Sequence, residues 1–256
     1  MDTEQTVQQP PSAKFYVLPN MLTLASLFCG FYSIVSGING HFRTAAIAIL
    51  VAAVFDSLDG RVARMTRTTS QFGVELDSLC DLVSFGVAPG VLAYLWALQP
   101  YGRYGWLAGF LYLATTALRL ARFNCQTSSG NKNFVGLPCP AAAGMIATTV
   151  MFSRFLGASG TVKHLSILLL VYLLSYLMVS THCYVSFKHP ETRKRKTFQV
   201  LVGGLLVFVL AATEPDVTLF VIIAGYVASG PILALYHALT RSRATAAEKD
   251  SLKSGV

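Results

Sequence analysis

The chain has 256 residues, of which 54% are hydrophobic and only 12% are charged, and its mean hydropathy is +0.55. So little polar material cannot coat a soluble globule, which excludes an ordinary water-soluble enzyme. The formal net charge of +8 does not indicate nucleic-acid binding, because the basic residues fall mainly between and after the apolar runs. The composition therefore predicts a polytopic integral membrane protein.

Eight apolar stretches are candidates for membrane-spanning helices, each of which needs about 20 mostly apolar residues. In chain order they cover residues 17–38, 44–64, 75–98, 105–124, 139–158, 165–187, 199–213 and 217–239. The seventh is short and ends at Glu214, Pro215 and Asp216, so a re-entrant segment is the alternative there. We expect an all-α fold, a polytopic membrane bundle of about eight transmembrane helices.

Lysine and arginine residues fall unevenly on the two sides of these spans. With the N-terminus inside, sixteen of the 20 basic residues lie on the cytoplasmic side. The other four are Arg43, Arg103, Arg154 and Lys163. Because loops rich in basic residues stay in the cytoplasm, this bias predicts that both termini are cytoplasmic. The basic run at 193–196 is interpreted as part of this topology signal, with recruitment of anionic lipid as the alternative.

The five cysteines are scattered along the chain and form no C-x-x-C pair. This spacing indicates neither a zinc site nor a disulfide framework. We predict that they are small buried side chains.

Four of the 12 acidic residues lie in or beside two consecutive predicted spans, at Asp56, Asp59, Asp77 and Asp81. An ionised side chain deep in a span costs about 2.5–3.5 kcal/mol, so four of them need compensation. At about 100° per residue, the first pair lies about 60° apart and the second about 40° apart, so each pair shares a helix face. Carboxylate oxygens suit Mg²⁺, Mn²⁺ or Ca²⁺ better than zinc or copper. We predict that the four aspartates hold two divalent cations.

Small residues and an arginine accompany the acids. Gly60 and Ala63 continue the face of the first aspartate pair, and Gly73 lies one turn before the second pair. Such residues leave space in which a bulky ligand can approach the backbone. Arg64 offers a fork of donors that suits phosphate oxygens. The group indicates a diphosphate substrate, and the alternative is that the small residues are only helix-packing contacts.

Residues 56–81 read D-x-x-D-G-x-x-A-R, eight residues, then G-x-x-x-D-x-x-x-D. This pattern resembles the signature of the CDP-alcohol phosphotransferase family and matches it at every fixed position. Within that family the chain is most similar to the bacterial phosphatidylserine synthases (CDP-diacylglycerol–serine O-phosphatidyltransferases), over roughly residues 17–150. The motifs that carry this likeness are Leu18-Pro19-Asn20-x-x-Thr23, Leu27-Phe28-Cys29-Gly30-Phe31, Leu76-Asp77-Ser78-Leu79, Asp81-Leu82-Val83-Ser84-Phe85-Gly86-Val87-Ala88-Pro89, Arg119-Leu120-Ala121-Arg122-Phe123-Asn124 and Gly136-Leu137-Pro138-x-Pro140-Ala141-Ala142-Ala143.

The resemblance implies a role for each residue of the signature. Asp56, Asp59 and Asp77 would be metal ligands, and Asp81 would share the second metal and act as the general base on the incoming hydroxyl. Four further residues would contact the binding residues without touching metal or substrate themselves: Ser78, Ser84, Asn124 and Glu75. The residues expected to bind CDP-diacylglycerol are Pro19, Asn20, Thr23, Asp59, Gly60, Ala63, Arg64 and Gly73.

Two arginines near the cytoplasmic end of the fourth predicted span are candidates for the acceptor side. Arg119 and Arg122 stand at i and i+3 and so share a helix face. We expect them to hold either the serine carboxylate or the lipid phosphate. The alternative is that they are interfacial arginines that anchor the end of the helix.

The reaction that the resemblance implies is CDP-diacylglycerol plus L-serine giving phosphatidylserine plus CMP. It would require two Mg²⁺ or Mn²⁺ ions, proceed by direct attack and take place in a homodimer that binds no nucleic acid. One alternative keeps the reaction but uses glycerol 3-phosphate, inositol phosphate or choline as the acceptor. An alternative of another class is a cation transporter, since intramembrane carboxylates also line ion pathways.

The expected organisation has four parts. Residues 1–16 would be a polar cytoplasmic N-terminus and residues 17–158 the CDP-alcohol phosphotransferase catalytic helices. Residues 159–240 would add further transmembrane helices, and residues 241–256 would form a cytoplasmic tail. The resemblance implies a bacterial cell membrane as the location, with the active site at the cytoplasmic side.

Overall fold

The computed structural model describes residues 13–66, 70–128, 136–157, 165–180 and 213–232. Within these ranges the chain is helical and contains no β-strand, which confirms the predicted all-α class. Apart from Thr213, the predicted seventh span lies outside the described residues, as do the basic run at 193–196 and the C-terminal tail.

The described helices follow the predicted spans closely. In chain order they are α1 (Ala13–Ile38), α2 (Phe42–Thr66), α3 (Gln71–Asp81), α4 (Ala88–Ala93), α5 (Arg103–Ser128), α6 (Cys139–Phe155), α7 (Leu165–Val179) and α8 (Pro215–Ile232). A π-helical turn, Leu82–Val87, joins α3 to α4, and a second π-helical turn, Tyr94–Leu98, and a 3-10 turn, Gln99–Tyr101, extend this helical run after α4.

Three helical stretches of the described residues are long and apolar enough to cross a membrane: Val17–Ile38, Gln71–Tyr101 and Pro215–Ile232. Helix α7 is apolar but shorter. Helix α2 contains two aspartates and three arginines, which lower its hydropathy. The helices have the composition of a membrane protein, and the count of eight crossings stays a prediction.

The third span starts at Gln71, four residues before the predicted boundary at 75. The Ser70 hydroxyl accepts a hydrogen bond from the Gly73 backbone N–H at 3.0 Å and so caps the helix. A serine cap satisfies one of the N–H groups that a helix leaves unpaired in its first turn. The cap therefore accounts for the earlier start.

The helical run widens into a π-turn directly after Asp81. Pro89 has no N–H to donate to the carbonyl of Phe85, four residues earlier. The hydroxyl of Tyr112 on α5 donates to that carbonyl instead, at 3.1 Å. The π-turn is therefore supported from another helix, and such turns are frequent at functional sites.

Helix α1 crosses this π-turn with backbone nearly touching backbone. A Cβ atom added to Gly30 would lie 2.7 Å from the Cα of Ser84, so only glycine fits there. The Ser84 hydroxyl donates to the Ser26 carbonyl at 3.1 Å, and the Ser26 hydroxyl donates to the Ala52 carbonyl of α2 at 3.1 Å. These contacts join α1, α2 and the run that follows α3 into one unit.

The buried core lies among α2, the helical run from α3 to residue 98, α5, α6 and α7. Its largest buried side chains include Trp96, Tyr112 and Phe85. Helix α1 instead exposes large apolar side chains, among them Phe28 and Phe31. An outward apolar face of this kind suits a helix that contacts lipid.

Helices α2 and α8 begin at the same end of the bundle. Arg43 Nη2 lies 3.4 Å from Asp216 Oδ2, which links the first turns of the two helices. Helix α8 also packs on α6 through Phe220 and Phe152, whose rings stack with centroids 4.5 Å apart. The two helices therefore start at the same end of the bundle, and which end faces the cytoplasm stays a prediction.

Candidate active site

Three aspartate carboxylates converge where α2 and α3 meet. One oxygen from each of Asp56, Asp59 and Asp77 lies within 4.8 Å of the other two. Asp59 is buried, and Asp56 and Asp77 are half-buried. The structure thus brings three of the four predicted metal ligands into one group, contributed by two consecutive helices.

Asp81 stands beside this group but outside it. Its carboxylate is in hydrogen-bonding contact with the carboxylate of Asp56. Two carboxylates in contact need a proton or a cation between them, because like charges at this distance repel strongly. Its role as a shared metal ligand and general base stays a prediction.

The residues of this cluster fit a bound cation. Among the described residues the one ion pair is Arg43–Asp216, so no described lysine or arginine forms an ion pair with the cluster. The Oδ1 atom of Asp77 is buried and has no hydrogen-bond partner. Grouped carboxylates in membrane helices are costly unless a positive charge meets them. Their oxygen-only donor set is one that hard divalent cations prefer.

Thr23 on α1 orients one of these acids. Its hydroxyl donates to Asp59 Oδ2 at 2.7 Å and lies 3.1 Å from the Pro19 carbonyl oxygen one turn earlier. Thr23 and Pro19 are both buried. Both were predicted as nucleotide contacts, and the structure adds a direct bond from Thr23 to a predicted metal ligand.

Asn20 and Gly73, two more of the predicted nucleotide contacts, face each other across the gap between α1 and α3. A Cβ atom added to Gly73 would lie 3.4 Å from Asn20 Oδ1 and 3.2 Å from Ser70 Oγ. A side chain at position 73 would therefore crowd both groups. Glycine at this position avoids that crowding.

The other predicted diphosphate contacts lie on the last turns of α2. The Arg64 guanidinium folds back over Gly60, 3.5 Å from the position of a Cβ atom there. Arg64 is exposed, Gly60 and Ala63 are half-buried, and the Arg64 charge acts on Asp59 without forming an ion pair with it. The guanidinium therefore borders the cluster and remains accessible to an anion.

Arg119 and Arg122 have different surroundings, although their spacing predicts a shared face. Arg122 is exposed. Arg119 is half-buried, its Nη1 contacts Cys139 Sγ at 3.3 Å, and its Nε is buried without a hydrogen-bond partner. The arginine side chains therefore are not equivalent candidates for the acceptor side.

Of the residues expected to support the site, Ser78 and Asn124 join α3 to α5. Asn124 Nδ2 donates to Ser78 Oγ at 3.0 Å. Ser84 lies in the π-turn and bonds to Ser26 of α1, as described above. Glu75 is exposed.

Sequence reasoning missed two contacts at the site. The prediction of buried cysteines is confirmed for Cys80 and Cys139 but is wrong for Cys125, which is exposed, and Cys29 is half-buried. The contact of Cys139 with Arg119 was not foreseen. Its position at the start of α6, directly after Pro138, was the available signal, because this pattern is typical of a helix N-terminus. Ser70 as the cap of α3 could have been found from its place three residues before Gly73.

The comparison with protein families places this architecture in one class. The family model of the CDP-alcohol phosphatidyltransferases matches residues 16–178, which is more than half of the chain. The chain belongs to this family of membrane enzymes. The matched range contains all four aspartates and the three arginines of the candidate site, Arg64, Arg119 and Arg122.

Three curated relatives are similar to the chain beyond this shared signature. It is 38% identical over 201 residues, 78% of the chain and 84% of the relative, to a CDP-diacylglycerol–serine O-phosphatidyltransferase of Helicobacter pylori. A protein of the same name from Bacillus subtilis is 35% identical over 172 residues, 67% of the chain and 91% of the relative. An archaetidylserine synthase of Methanothermobacter thermautotrophicus is 39% identical over 169 residues, 65% of the chain and 69% of the relative.

Proposed function

We propose that the chain transfers a phosphatidyl group from CDP-diacylglycerol to the hydroxyl of L-serine, giving phosphatidylserine and CMP. The observation that carries this proposal is the acidic cluster of Asp56, Asp59 and Asp77, whose carboxylates meet without a described positive partner. The family match and the serine transferases among the relatives support the reaction and its acceptor.

The aspartates would hold two Mg²⁺ or Mn²⁺ ions, with Asp56, Asp59 and Asp77 as ligands and Asp81 shared with the second ion. Such ions, when bound, stabilise the negative charge that develops on a diphosphate as CMP leaves. The carboxylate of Asp81 would accept the proton of the serine hydroxyl while that oxygen forms its bond to phosphorus. The bond between that phosphorus and the CMP oxygen breaks in the same step, so no covalent enzyme intermediate is needed.

The nucleotide would lie between α1 and the cytoplasmic ends of α2 and α3. Asn20 and Gly73 face each other there. The nucleotide would also contact Pro19, Thr23, Gly60 and Ala63. The exposed guanidinium of Arg64 would contact the diphosphate, because its planar fork of donors matches phosphate oxygens. Arg119 and Arg122 are the candidates for the acceptor side.

The cytoplasmic side is the proposed location of the site, and the chain would lie in a bacterial cell membrane as a homodimer. Serine would enter from the cytoplasm and the acyl chains would enter sideways from the lipid. The catalytic helices would be residues 17–158, a range that the family match covers before it continues to residue 178. Residues 159–240 would add spans, and residues 1–16 and 241–256 would be cytoplasmic ends.

The alternatives are less well supported. A phosphorylated acceptor such as glycerol 3-phosphate or inositol phosphate would require more fixed cations than Arg119 and Arg122, and choline has no carboxylate for an arginine to bind. A cation transporter would use the acids but would have no need for the spacing of Gly60, Ala63, Arg64 and Gly73. The serine transferases among the relatives favour neither alternative.

An acceptor panel tests the proposal directly. Purified protein is given CDP-diacylglycerol with L-serine, glycerol 3-phosphate, inositol phosphate or choline, and CMP release and the lipid product are measured with and without EDTA. We expect serine-dependent CMP release that EDTA abolishes and Mg²⁺ or Mn²⁺ restores. Asp81→Asn should retain CDP-diacylglycerol binding but lose turnover by about 100-fold or more, because proton removal by a positioned base is worth that much.

Two results would contradict the proposal. CMP release that depends on another acceptor and not on serine would overturn the choice of acceptor. Normal turnover by Asp81→Asn would overturn the assignment of the base. Ion flux in proteoliposomes without any nucleotide would favour the transporter instead.

A further inference from the structure

We propose that Arg119 binds the carboxylate of the acceptor and that Cys139 positions the guanidinium for this task. The inference rests on the proposed function and deepens it. It assigns the selection of an acceptor that carries a carboxylate to one side chain of α5, held by the first residue of α6.

Arg119 lies at the depth of the acidic cluster. Two contacts join α5 to the helical run of α3: Tyr112 donates to the Phe85 carbonyl, and Asn124 donates to Ser78. Along α5, Arg119 falls between Tyr112 and Asn124. Along the partner run, Asp77 precedes Ser78 directly and Asp81 falls between Ser78 and Phe85. The two helices therefore present Arg119 and the aspartates at the same level.

The direction of the Arg119 side chain follows from helix geometry. Arg119 comes seven residues after Tyr112, which is two helical turns, so the two residues share a face of α5. Tyr112 uses that face to reach the π-turn next to Asp81. The guanidinium is therefore on the side of α5 that faces the candidate site.

Cys139 holds the guanidinium from one side. Its thiol is 3.3 Å from Arg119 Nη1, and it is fully buried at the start of α6. Tyr226 of α8 also lies within electrostatic range of Arg119. The guanidinium of α5 is thus held against the start of α6.

The guanidinium still lacks an anionic partner among the described residues. No described carboxylate forms an ion pair with Arg119, and its Nε is buried without a hydrogen bond. A half-buried cation with unused donors favours an anion of matching shape, and a carboxylate accepts two parallel N–H bonds from an arginine. In serine a single two-carbon unit separates the hydroxyl from the carboxyl, so an anchor close to Asp81 has the required reach.

The lipid phosphate is the competing anion, and the position of Arg64 argues against it. Arg64 lies over Gly60 on the diphosphate side of the cluster. Arg119 approaches from α5 and contacts Cys139 of α6. Two arginines on different helices therefore suit two different anions, the diphosphate and the acceptor carboxylate.

The test removes the carboxylate from the substrate and the guanidinium from the protein, singly and together. Wild type, Arg119→Gln and Arg119→Lys are assayed with L-serine and with ethanolamine, which has the same hydroxyl and ammonium groups but no carboxylate. Hydrolysis of CDP-diacylglycerol by water gives a third rate that depends on no acceptor. Arg103→Gln, on the same helix at its other end, is the matched control.

We expect Arg119→Gln to lower kcat/KM for L-serine by about 100-fold, mainly through KM, because a hydrogen-bonded charge pair is lost. The rates with ethanolamine and water, and the KM for CDP-diacylglycerol, should stay within about twofold of wild type. Arg119→Lys should not restore the serine KM, since lysine lacks the planar fork. Cys139→Ala should raise the serine KM with little change in kcat, and Cys139→Ser should restore part of it.

Each other outcome overturns the inference. An equal loss with serine, ethanolamine and water, or a raised KM for CDP-diacylglycerol, would assign Arg119 to the phosphate. A serine-specific loss in Arg122→Gln but not in Arg119→Gln would move the anchor to the exposed arginine. A wild-type protein that ignores serine would contradict the proposed function itself, and this result is distinct from the other two.

Discussion

Thr23 illustrates how a side chain outside the acidic signature controls one inside it. It belongs to α1, whereas the aspartates belong to α2 and α3, and its hydroxyl donates to Asp59 at 2.7 Å. A hydrogen bond of this kind holds a carboxylate in one orientation and leaves its second oxygen for a ligand. Thr23 is therefore a positioning residue for the proposed metal ions.

Thr23→Val should weaken metal binding with little effect on folding. Valine has nearly the same shape but cannot donate to Asp59, so we expect the Mg²⁺ or Mn²⁺ concentration for half-maximal activity to rise by about 10–100-fold. The measurement is a metal titration of CMP release at saturating serine and CDP-diacylglycerol.

Thr116→Val is the matched control for this variant. Thr116 is also buried, but its hydroxyl donates to the Tyr112 carbonyl at 2.8 Å, within its own helix. Its substitution should leave the metal dependence unchanged. If the metal concentration for half-maximal activity rises equally in both variants, the effect of Thr23→Val comes from the loss of any buried hydroxyl and not from the bond to Asp59.

At the scale of single residues, the sequence predicted which side chains share a helix face, because that depends only on their spacing. The convergence of Asp56, Asp59 and Asp77 follows from angles along two neighbouring helices. The difference between Arg119 and Arg122 does not, because it arises from Cys139, which is separated from them in the chain and belongs to another helix. Contacts between helices decide which of two equally spaced side chains is buried.

At the scale of elements, the crossing of α1 over the π-turn sets the position of the site. Thr23 and Ser26 of α1 bond to Asp59 and Ala52 of α2, while Ser84 ties α1 to the run that carries Asp77 and Asp81. The Gly30–Ser84 approach permits this second contact, since a Cβ atom at position 30 would meet Ser84 Oγ at 2.6 Å and Ser84 Cα at 2.7 Å.

Gly30→Ala should therefore destabilise the protein. The added methyl group meets backbone and not the end of a flexible side chain, so α1 must shift, and we expect a loss of about 1–3 kcal/mol. The loss is measured as a lower unfolding midpoint in detergent, together with reduced activity. Ser84→Ala should not rescue the variant, because the obstructing Cα atom remains.

Gly37→Ala serves as the control on the same helix. A Cβ atom at position 37 would lie 3.7 Å from Leu95 Cδ1, an ordinary contact. Alanine is the better helix former, so this variant should be as stable as wild type or slightly more stable. If both variants lose the same stability, the close crossing at Gly30 is not the cause.

The elements themselves were largely predictable, and their irregularities were not. Predicted spans and described helices differ by a few residues at most of their ends, since apolar length determines both. The π-turn after Asp81 depends on Pro89 and on Tyr112, a hydroxyl supplied by α5. Hydropathy along one segment contains no information about a donor on another, so the third span was predicted as a regular helix.

At the scale of the whole molecule, the acidic cluster opposes folding unless a cation is bound. Asp56, Asp59 and Asp77 lie within 4.8 Å of one another, and Asp81 contacts Asp56. Their mutual repulsion acts in a region of low dielectric constant, where it is stronger than in water. Both the free energy of unfolding and the activity should therefore depend on the divalent metal.

Asp216→Asn provides the control for this dependence. Asp216 also lies in a helix and has a buried oxygen, but its partner is Arg43 at the other end of α2. Because exposed ion pairs contribute little, its loss should cost under about 1 kcal/mol. The effect of EDTA on this variant should equal that on wild type.

Asp77→Asn should reverse the order of stability: the variant should be more stable than wild type without metal and less stable with it. In EDTA it should unfold at a higher temperature than wild type, because one of the repelling charges is gone. With Mg²⁺ or Mn²⁺ at about 100 times the dissociation constant, wild type should gain about 2.7 kcal/mol from metal binding, which raises its midpoint by several degrees. Asp77→Asn should gain much less and should be nearly inactive. Unfolding is followed by intrinsic fluorescence in detergent at one scan rate, and a wild-type midpoint that EDTA leaves unchanged would contradict a metal site in this cluster.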